Sequence, residues 1–398
     1  MIRLISLTLA AFAIGISEFV LVGLLPTIAA DTGISLGTAG LLVTSYALAI
    51  TLLSPVLTSL LSRYNSRWML VALMIAFTIG NILVATAGGF TGLLIGRIVA
   101  GAAHGTVFAL GAPAAAAIVP HDKAARAISL MFLGLTVAMV IGVPLGTIIG
   151  SALGWRTTFL LVAALGAIAA LAIAILLPPT RAGESISIRK QLTLLTDRPL
   201  ALTYVVTGLG FGATFAVFTY LEPLLGEHAG YTVTGITLTL FLFGAATVLG
   251  NLTGGALSDR IGTTPVIRIA LTGLAASFIA ILLISTHPTG LAVTVFAWGV
   301  FAFLISPAVQ THSVALAAHR GEGAQKAASG LNIAAFNAGI ALASWTGGIL
   351  VETTGVTTTP WAAIAFVLIA LAASTGITRT TPVTAQIPTT EQPSPTRR

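Results

Sequence analysis

Three ionisable residues stand inside long apolar runs, where a polar side chain is expensive. Glu18 lies in Gly15-Ile-Ser-Glu-Phe19, and Arg97 and His104 lie in Arg97-Ile-Val-Ala-Gly-Ala-Ala-His-Gly105. A carboxylate in hydrocarbon costs several kcal/mol unless it is protonated or paired, so Glu18 is a group that can carry a proton. The five donors of Arg97 cannot face lipid; they need a carboxylate, the carbonyls of a neighbouring helix or cavity water. Helical spacing puts Gly101, His104 and Gly105 on the same face as Arg97, and the two glycines let a neighbouring backbone approach. His104 is a second candidate proton site, since an unperturbed imidazole titrates near neutrality; a neutral histidine bonded to a neighbouring helix is the competing reading. If the proton affinity of Glu18 depends on which side its surroundings open to, proton entry and the exit of a second solute share one conformational equilibrium.

The elements that position these residues must be membrane helices. The 398 residues are 56% hydrophobic and 7% charged, against about 25% charged in soluble proteins. A water-facing surface cannot be built from that composition. With no cysteine, disulfides, zinc thiolate sites and cysteine nucleophiles are excluded. Runs of about 20 apolar residues suit a bilayer, and twelve occur: 5–30, 36–61, 68–88, 92–119, 127–151 and 157–177, then 200–225, 235–258, 265–285, 289–315, 327–351 and 360–377. The first is expected to be a membrane helix rather than a cleavable leader, because Glu18 interrupts its apolar stretch.

A net charge of +7 would point to nucleic acid in a soluble domain, but basic residues also collect in cytoplasmic loops. Their positions decide. Sixteen of the 18 Lys and Arg fall at the termini, in connections of one parity or at the run edges that adjoin those connections: Arg3, Arg63, Arg67, Lys123, Arg126, Arg181, Arg189, Lys190, Arg198, Arg260, Arg268, Arg320, Lys326, Arg379, Arg397 and Arg398. Only Arg156 falls in an outer connection and only Arg97 in the interior of a span. Twelve crossings with both termini in the cytoplasm follow, and no nucleic-acid partner is expected. The division is a six-helix bundle at 1–178, a cytoplasmic linker at 179–199, a second six-helix bundle at 200–379 and a disordered cytoplasmic tail at 380–398. A repeat supports it: Ser59-Leu-Leu-Ser-Arg-Tyr-Asn-Ser-Arg67 corresponds to Gly255-Ala-Leu-Ser-Asp-Arg-Ile-Gly-Thr263, and Pro26 precedes Arg63 by 37 residues where Pro223 precedes Asp259 by 36.

Taken in order, Gly15-Ile-Ser-Glu-Phe19 with Gly23-Leu-Leu-Pro26, the Arg97–Gly105 stretch, Gly142-Val-Pro-Leu-Gly146 with Gly154-Trp-Arg156, and Gly255-Ala-Leu-Ser-Asp-Arg-Ile-Gly262 resemble the major facilitator superfamily. Within it they are similar to the twelve-span drug:proton antiporters of the sugar-efflux and chloramphenicol-exporter type. The resemblance runs from about Leu7 to Thr378. It implies an all-α polytopic protein of two pseudo-twofold-related six-helix bundles, which rock around a cavity lined by spans one, four, seven and ten. It also implies proton transfer involving Glu18 and Arg97, and monomeric function in a bacterial inner membrane. Gly142, Pro144, Gly146 and Gly150 resemble the antiporter hinge of the fifth span, with Val143 where that motif carries glycine. Gly255, Asp259, Arg260 and Gly262 match the cytoplasmic loop motif thought to latch one state. In the first half Arg63 occupies its acidic position and Ser66 its glycine position, leaving Arg67 as a surface or helix-end contact.

Other polar residues read as supports. His312 lies near the inner end of span ten and Glu222 near the outer end of span seven, while Asn81, Asn251, Gln310, Asn332 and Asn337 suit interhelical hydrogen bonds. Tyr46, Phe211, Phe218, Tyr220 and Trp298 could offer aromatic surface to a flat substrate. Without a P-loop, HExxH or a large soluble domain, no cofactor, metal or ATP hydrolysis is expected, and the function read is proton-driven export of small amphipathic molecules. Export of a sugar or nucleoside is the alternative; a channel or membrane enzyme would need a continuous polar pore or a nucleophile–base pair.

Overall fold

In hydrocarbon every backbone N–H and C=O must find a partner within the chain, so long apolar runs fold as helices. The computed structural model describes residues 2–61, 63–120, 123–179, 188–284 and 286–377. Among them, twelve helices are long and apolar enough to span a membrane: Arg3–Gly23, Leu36–Leu61, Ser66–Thr86, Phe90–Ala117, Arg126–Leu153, Trp155–Leu176, Arg198–Phe218, Val233–Ile261, Thr263–Ile284, Pro288–Arg320, Gly323–Thr353 and Val356–Ser374. The expected tail, the linker residues 180–187 (with Arg181), and Arg379, Arg397 and Arg398 lie outside the described residues.

Two spans end earlier than the apolar runs that contain them. The first passes from α-helix (Ile2–Phe19) through a 3-10 turn (Val20–Gly23) into a separate helix, Leu25–Thr32, with Pro26 in its opening turn. The seventh is π-helical at Thr207–Phe211 and stops at Phe218, ahead of short helical turns around Pro223. Proline lacks the N–H that a continuing helix needs, and the two prolines are the ones that correspond in the repeat. The linker holds an element that sequence periodicity did not reveal, the helix Ile188–Leu195. After it, Asp197 caps the seventh span by accepting from the Leu200 N–H at 3.2 Å and pairs with Arg320 at the end of the tenth.

The packing repeats. In the first six spans, two packs on four, three on four, three on six, and one on five and six; in the second six, eight packs on ten, nine on ten, nine on twelve, and seven on eleven and twelve. Arg67 on span three donates to the carbonyl of Ala174 in the last turn of span six, and Arg268 on span nine donates to Ser374 O at the end of span twelve, at 3.0 Å. The two sets meet where span two lies along span eleven and span five along span eight.

The connections after even-numbered spans form a charge-rich end, and those after odd-numbered spans a charge-poor end. At the charge-poor end Asp31 accepts from Arg156 and from Trp155 Nε1, and Arg156 also donates to Ala87 O at 3.2 Å, so three connections are tied together. The Arg156 hydrogen bond holds the Asp31 carboxyl below the usual carboxylate range.

Candidate functional site

Arg97 is 1% exposed and is the centre of a polar cluster built by the first four spans. Its Nε donates to Leu42 O of span two at 3.2 Å, and its Nη1 to Ser17 O of span one at 2.7 Å. The guanidinium lies 3.9 Å from the centre of the Tyr46 ring, a cation–π contact of the kind that gains strength when desolvated. Its Nη2 is buried with no partner. Carbonyls of two neighbouring helices thus hold Arg97, and no described carboxylate pairs with it.

The cluster extends to both sides. Tyr46 OH lies 3.1 Å from His104 Nδ1, and His104 packs on Phe108 at 5.1 Å between ring centres. Ser17 Oγ donates to Asn81 Oδ1 of span three at 2.8 Å, and Asn81 Nδ2 donates to Phe77 O. Gly101 and Gly105 make this possible: a Cβ on Gly101 would meet the Tyr46 carbonyl, and one on Gly105 would meet Ser54. Span two can therefore press its backbone and Tyr46 against span four.

Glu18 is half-buried and within electrostatic range of Arg97 and Tyr46. It forms no hydrogen bond or ion pair with any described residue, Arg97 included. Two backbone carbonyls hold Arg97, and both its Nη2 and the Glu18 carboxylate are left without a partner among the described residues. The cluster lies nearer the charge-poor end than the charge-rich end. Leu42, at the level of the cluster, is six residues from the start of its helix, about 9 Å from the charge-poor end.

On span five, the π-helical turn Ala138–Gly142 immediately precedes Pro144, so the expected break in the backbone ladder has a definite form. Cβ atoms on Gly142, Gly146 and Gly150 would meet Ile16, Val20 and Leu24, which places this motif against span one beside Glu18 and against the turn that follows the span. Gly262 ends span eight at φ +84°, a conformation that favours glycine. Asp259 and Arg260 are exposed and make no ion pair among the described residues, and a Cβ on Gly255 would meet nothing within 4 Å. These motifs are not brought to the Arg97 cluster.

The remaining polar residues separate. Thr207 Oγ1, Asn332, Gln310 and Ser329 form a hydrogen-bonded chain with links of 2.7, 2.7 and 2.6 Å across spans seven, eleven and ten. His312 Nδ1 lies 2.8 Å from Thr263 Oγ1. Two asparagines differ from expectation: Asn337 bonds within its own helix, to Ile333 O, and Asn251 is exposed. Of the aromatics, Phe218 and Trp298 are core, 6.1 Å apart, whereas Phe19 and Phe215 face one another across the two sets of spans at 6.3 Å. Glu222, beyond the seventh span, is pushed up to about 7 by burial and then by Glu227.

Sequence reasoning missed the contacts that close the charge-poor end. Glu352 Oε1 on span eleven accepts the Gly37 N–H in the first turn of span two at 2.8 Å. Tyr220 fits a slot floored by Gly40, Gly347 and Gly348 and donates to Ser344 O at 3.0 Å. The signal available was an acidic residue directly after an apolar run, opposite a glycine pair at a helix start.

A family model described as Major Facilitator Superfamily matches residues 7–325 and 200–398. The chain is 43% identical to the MFS-type transporter YtbD of Bacillus subtilis, covering 90% of each. It is 36% identical to the inner membrane transport protein YdhP of Escherichia coli K12, covering 88% of each. A chloramphenicol resistance protein of Streptomyces lividans is 34% identical, over 84% of this chain and 85% of that one. Among solved structures, a bacterial homologue of the human lysosomal transporter Spinster superposes with a TM-score of 0.76 at 17% identity, covering 94% of this chain and 95% of that chain.

Proposed function

The chain belongs to the major facilitator superfamily, and from that premise we propose that it is a proton-coupled antiporter exporting small amphipathic molecules across a bacterial inner membrane. The observation that carries this reading is Glu18: a carboxylate without a partner, beside a buried guanidinium with one free nitrogen. In its protonated form Glu18 needs no counter-ion. Deprotonated, it gains the Nη2 donors of Arg97, so that Arg97 holds the site ready for either state.

The positive-inside rule assigns the charge-rich end, and with it both termini, to the cytoplasm. On that assignment Glu352, Tyr220 and their glycine seats close the outer end. Rocking of residues 1–178 against 200–379 would expose Glu18 to the outer side, where it loads a proton, and return it to the inner side, where it releases one. The glycine and proline hinge of Gly142, Pro144, Gly146 and Gly150 supports span one through this motion. The pair Asp259–Arg260 between Gly255 and Gly262 is idle here because its latch belongs to the state in which the cytoplasmic ends close. His104 serves as a support, through Tyr46, for the Arg97 contact. One chain suffices for this cycle.

Aromatic residues of both halves (Phe19, Phe211, Phe215 and Phe336) favour a flat, largely apolar substrate, as does likeness to a chloramphenicol resistance protein. The Thr207–Asn332–Gln310–Ser329 chain favours the second reading, a hydroxyl-rich solute such as a pentose or nucleoside, at the expense of bonds these groups already make to each other. Accumulation of chloramphenicol, a cationic dye and a labelled pentose in efflux-deficient cells, with and without protonophore, tests both. Protonophore-sensitive exclusion of chloramphenicol or the dye supports the first reading, and exclusion of the pentose alone replaces it with the second.

A further inference from the structure

We propose that the outer face of spans three and six binds an anionic phospholipid, one acyl chain lying in a groove between the two helices and the phosphate held by Arg67 and Arg63. The groove has a volume of about 320 Å³ and is lined by Val71, Ile75 and Ile79 from span three and Ala167, Ala170 and Leu171 from span six. Small residues on span six leave it empty of side chains. From Val71 to Ile79 it runs about 12 Å along the helix, close to the depth of one leaflet of a bilayer whose core is about 30 Å thick.

Its charge-rich end closes on Ala174, the residue whose carbonyl accepts from Arg67 Nη2. Tail groove and guanidinium therefore meet at one point. Arg67 Nε is buried there with no partner. The neighbouring Arg63 donates from Nε to Leu60 O, which leaves its two terminal nitrogens for another acceptor. Each guanidinium lies over the next aromatic ring, Arg63 at 5.4 Å from Tyr64 and Arg67 at 5.0 Å from Trp68. Those rings are 51% and 53% exposed at the level where spans two, three and six end, the depth at which aromatic side chains meet lipid headgroups.

The charge balance selects the headgroup. No acidic residue occurs between Asp31 and Asp122 in the sequence, and neither arginine makes an ion pair among the described residues. Two forked cations without a counter-charge match a phosphodiester, and a headgroup carrying its own ammonium would bring repulsion with it. This proposal needs the membrane topology but not the transport reading.

The test is native mass spectrometry and thermal melting of the full chain in a neutral detergent, after addition of phosphatidylglycerol, phosphatidylcholine or inorganic phosphate. Phosphatidylglycerol is expected to remain bound and raise the melting temperature, with phosphatidylcholine held about tenfold less. Ala167→Phe, which fills the groove from an exposed position, and Arg63→Gln are each expected to reduce retention by a similar factor while the protein still folds. Equal retention of the two lipids, retention unaffected by both variants, or the same thermal shift from inorganic phosphate alone would overturn the proposal.

Discussion

At the scale of single residues, the decisive fact is that Arg97 is held by two carbonyls and a ring rather than by a carboxylate, with its Nη2 left without a partner. Leu42 O, Ser17 O and the Tyr46 ring hold it, so Arg97→Ala should leave these groups unmatched at about 1–3 kcal/mol for each lost hydrogen bond. Arg97→Lys keeps the charge but cannot reach both carbonyls. It should melt lower than wild type in detergent and lose coupling, whereas equal stability and coupling would show that the fork is not needed. A second residue reports through pH. Burial reinforced by Glu227 pushes Glu222 up to about 7 from 4.5, so the folded chain holds this proton more tightly than the unfolded one. Its contribution to stability is therefore complete below about pH 4.5 and is lost as pH rises through about 7. Glu222→Gln should remove that loss, read as a smaller fall in melting temperature between pH 5 and pH 8 than in wild type. An identical fall in both would remove Glu222 from the account. The sequence made Glu18 and Arg97 conspicuous because they interrupt apolar runs. It could not place Ser17 or Tyr46 beside Arg97, since which neighbour a guanidinium reaches depends on helix rotations that hydropathy does not determine.

Helices and their junctions carry the next level. The closed end depends on glycine: a Cβ at Gly37 would fall 2.6 Å from both Glu352 Cγ and the Gly348 carbonyl, and one at Gly40 would collide with the Tyr220 hydroxyl. Gly40→Ala should therefore hold spans two and eleven apart. Because the chain has no native cysteine, a single Ala341→Cys on the facing helix can be labelled without background. A membrane-impermeant maleimide should label it faster in the Gly40→Ala background than in otherwise wild-type protein, and unchanged labelling would contradict a gate at this position. Helix ends were legible where charge or a loop marked them, as at Leu36–Leu61, which spans the same residues as its apolar run. They were not legible at the first and seventh spans, where Pro26 and Pro223 divide apolar runs that continue past them. The linker helix Ile188–Leu195 was hidden for the opposite reason, because it is short and lies in a polar, basic connection where no apolar run marks a helix.

For the whole molecule, repetition and charge carry the argument. The same packing pairs recur in the first and second six spans, and an arginine on the third and the ninth reaches the final turn of the sixth and the twelfth. Repeat spacing pointed to two related halves, because it is a property of order along the chain, but neither it nor loop parity says which helices pack on which. The contacts between the two sets, spans two on eleven and five on eight, were not implied by either. The orientation proposed from charge predicts that a reporter fused after Arg398 is active in the cytoplasm, and an external reporter signal would reverse the assignment of both ends. The central claim is that Glu18 carries the proton that drives export. Its most direct test is transport of labelled chloramphenicol in proteoliposomes under an imposed pH gradient, comparing wild type with Glu18→Gln at matched incorporation. The account predicts gradient-dependent, protonophore-sensitive accumulation in wild type and its loss in Glu18→Gln with substrate binding retained. Accumulation of equal rate and extent in the two would contradict it.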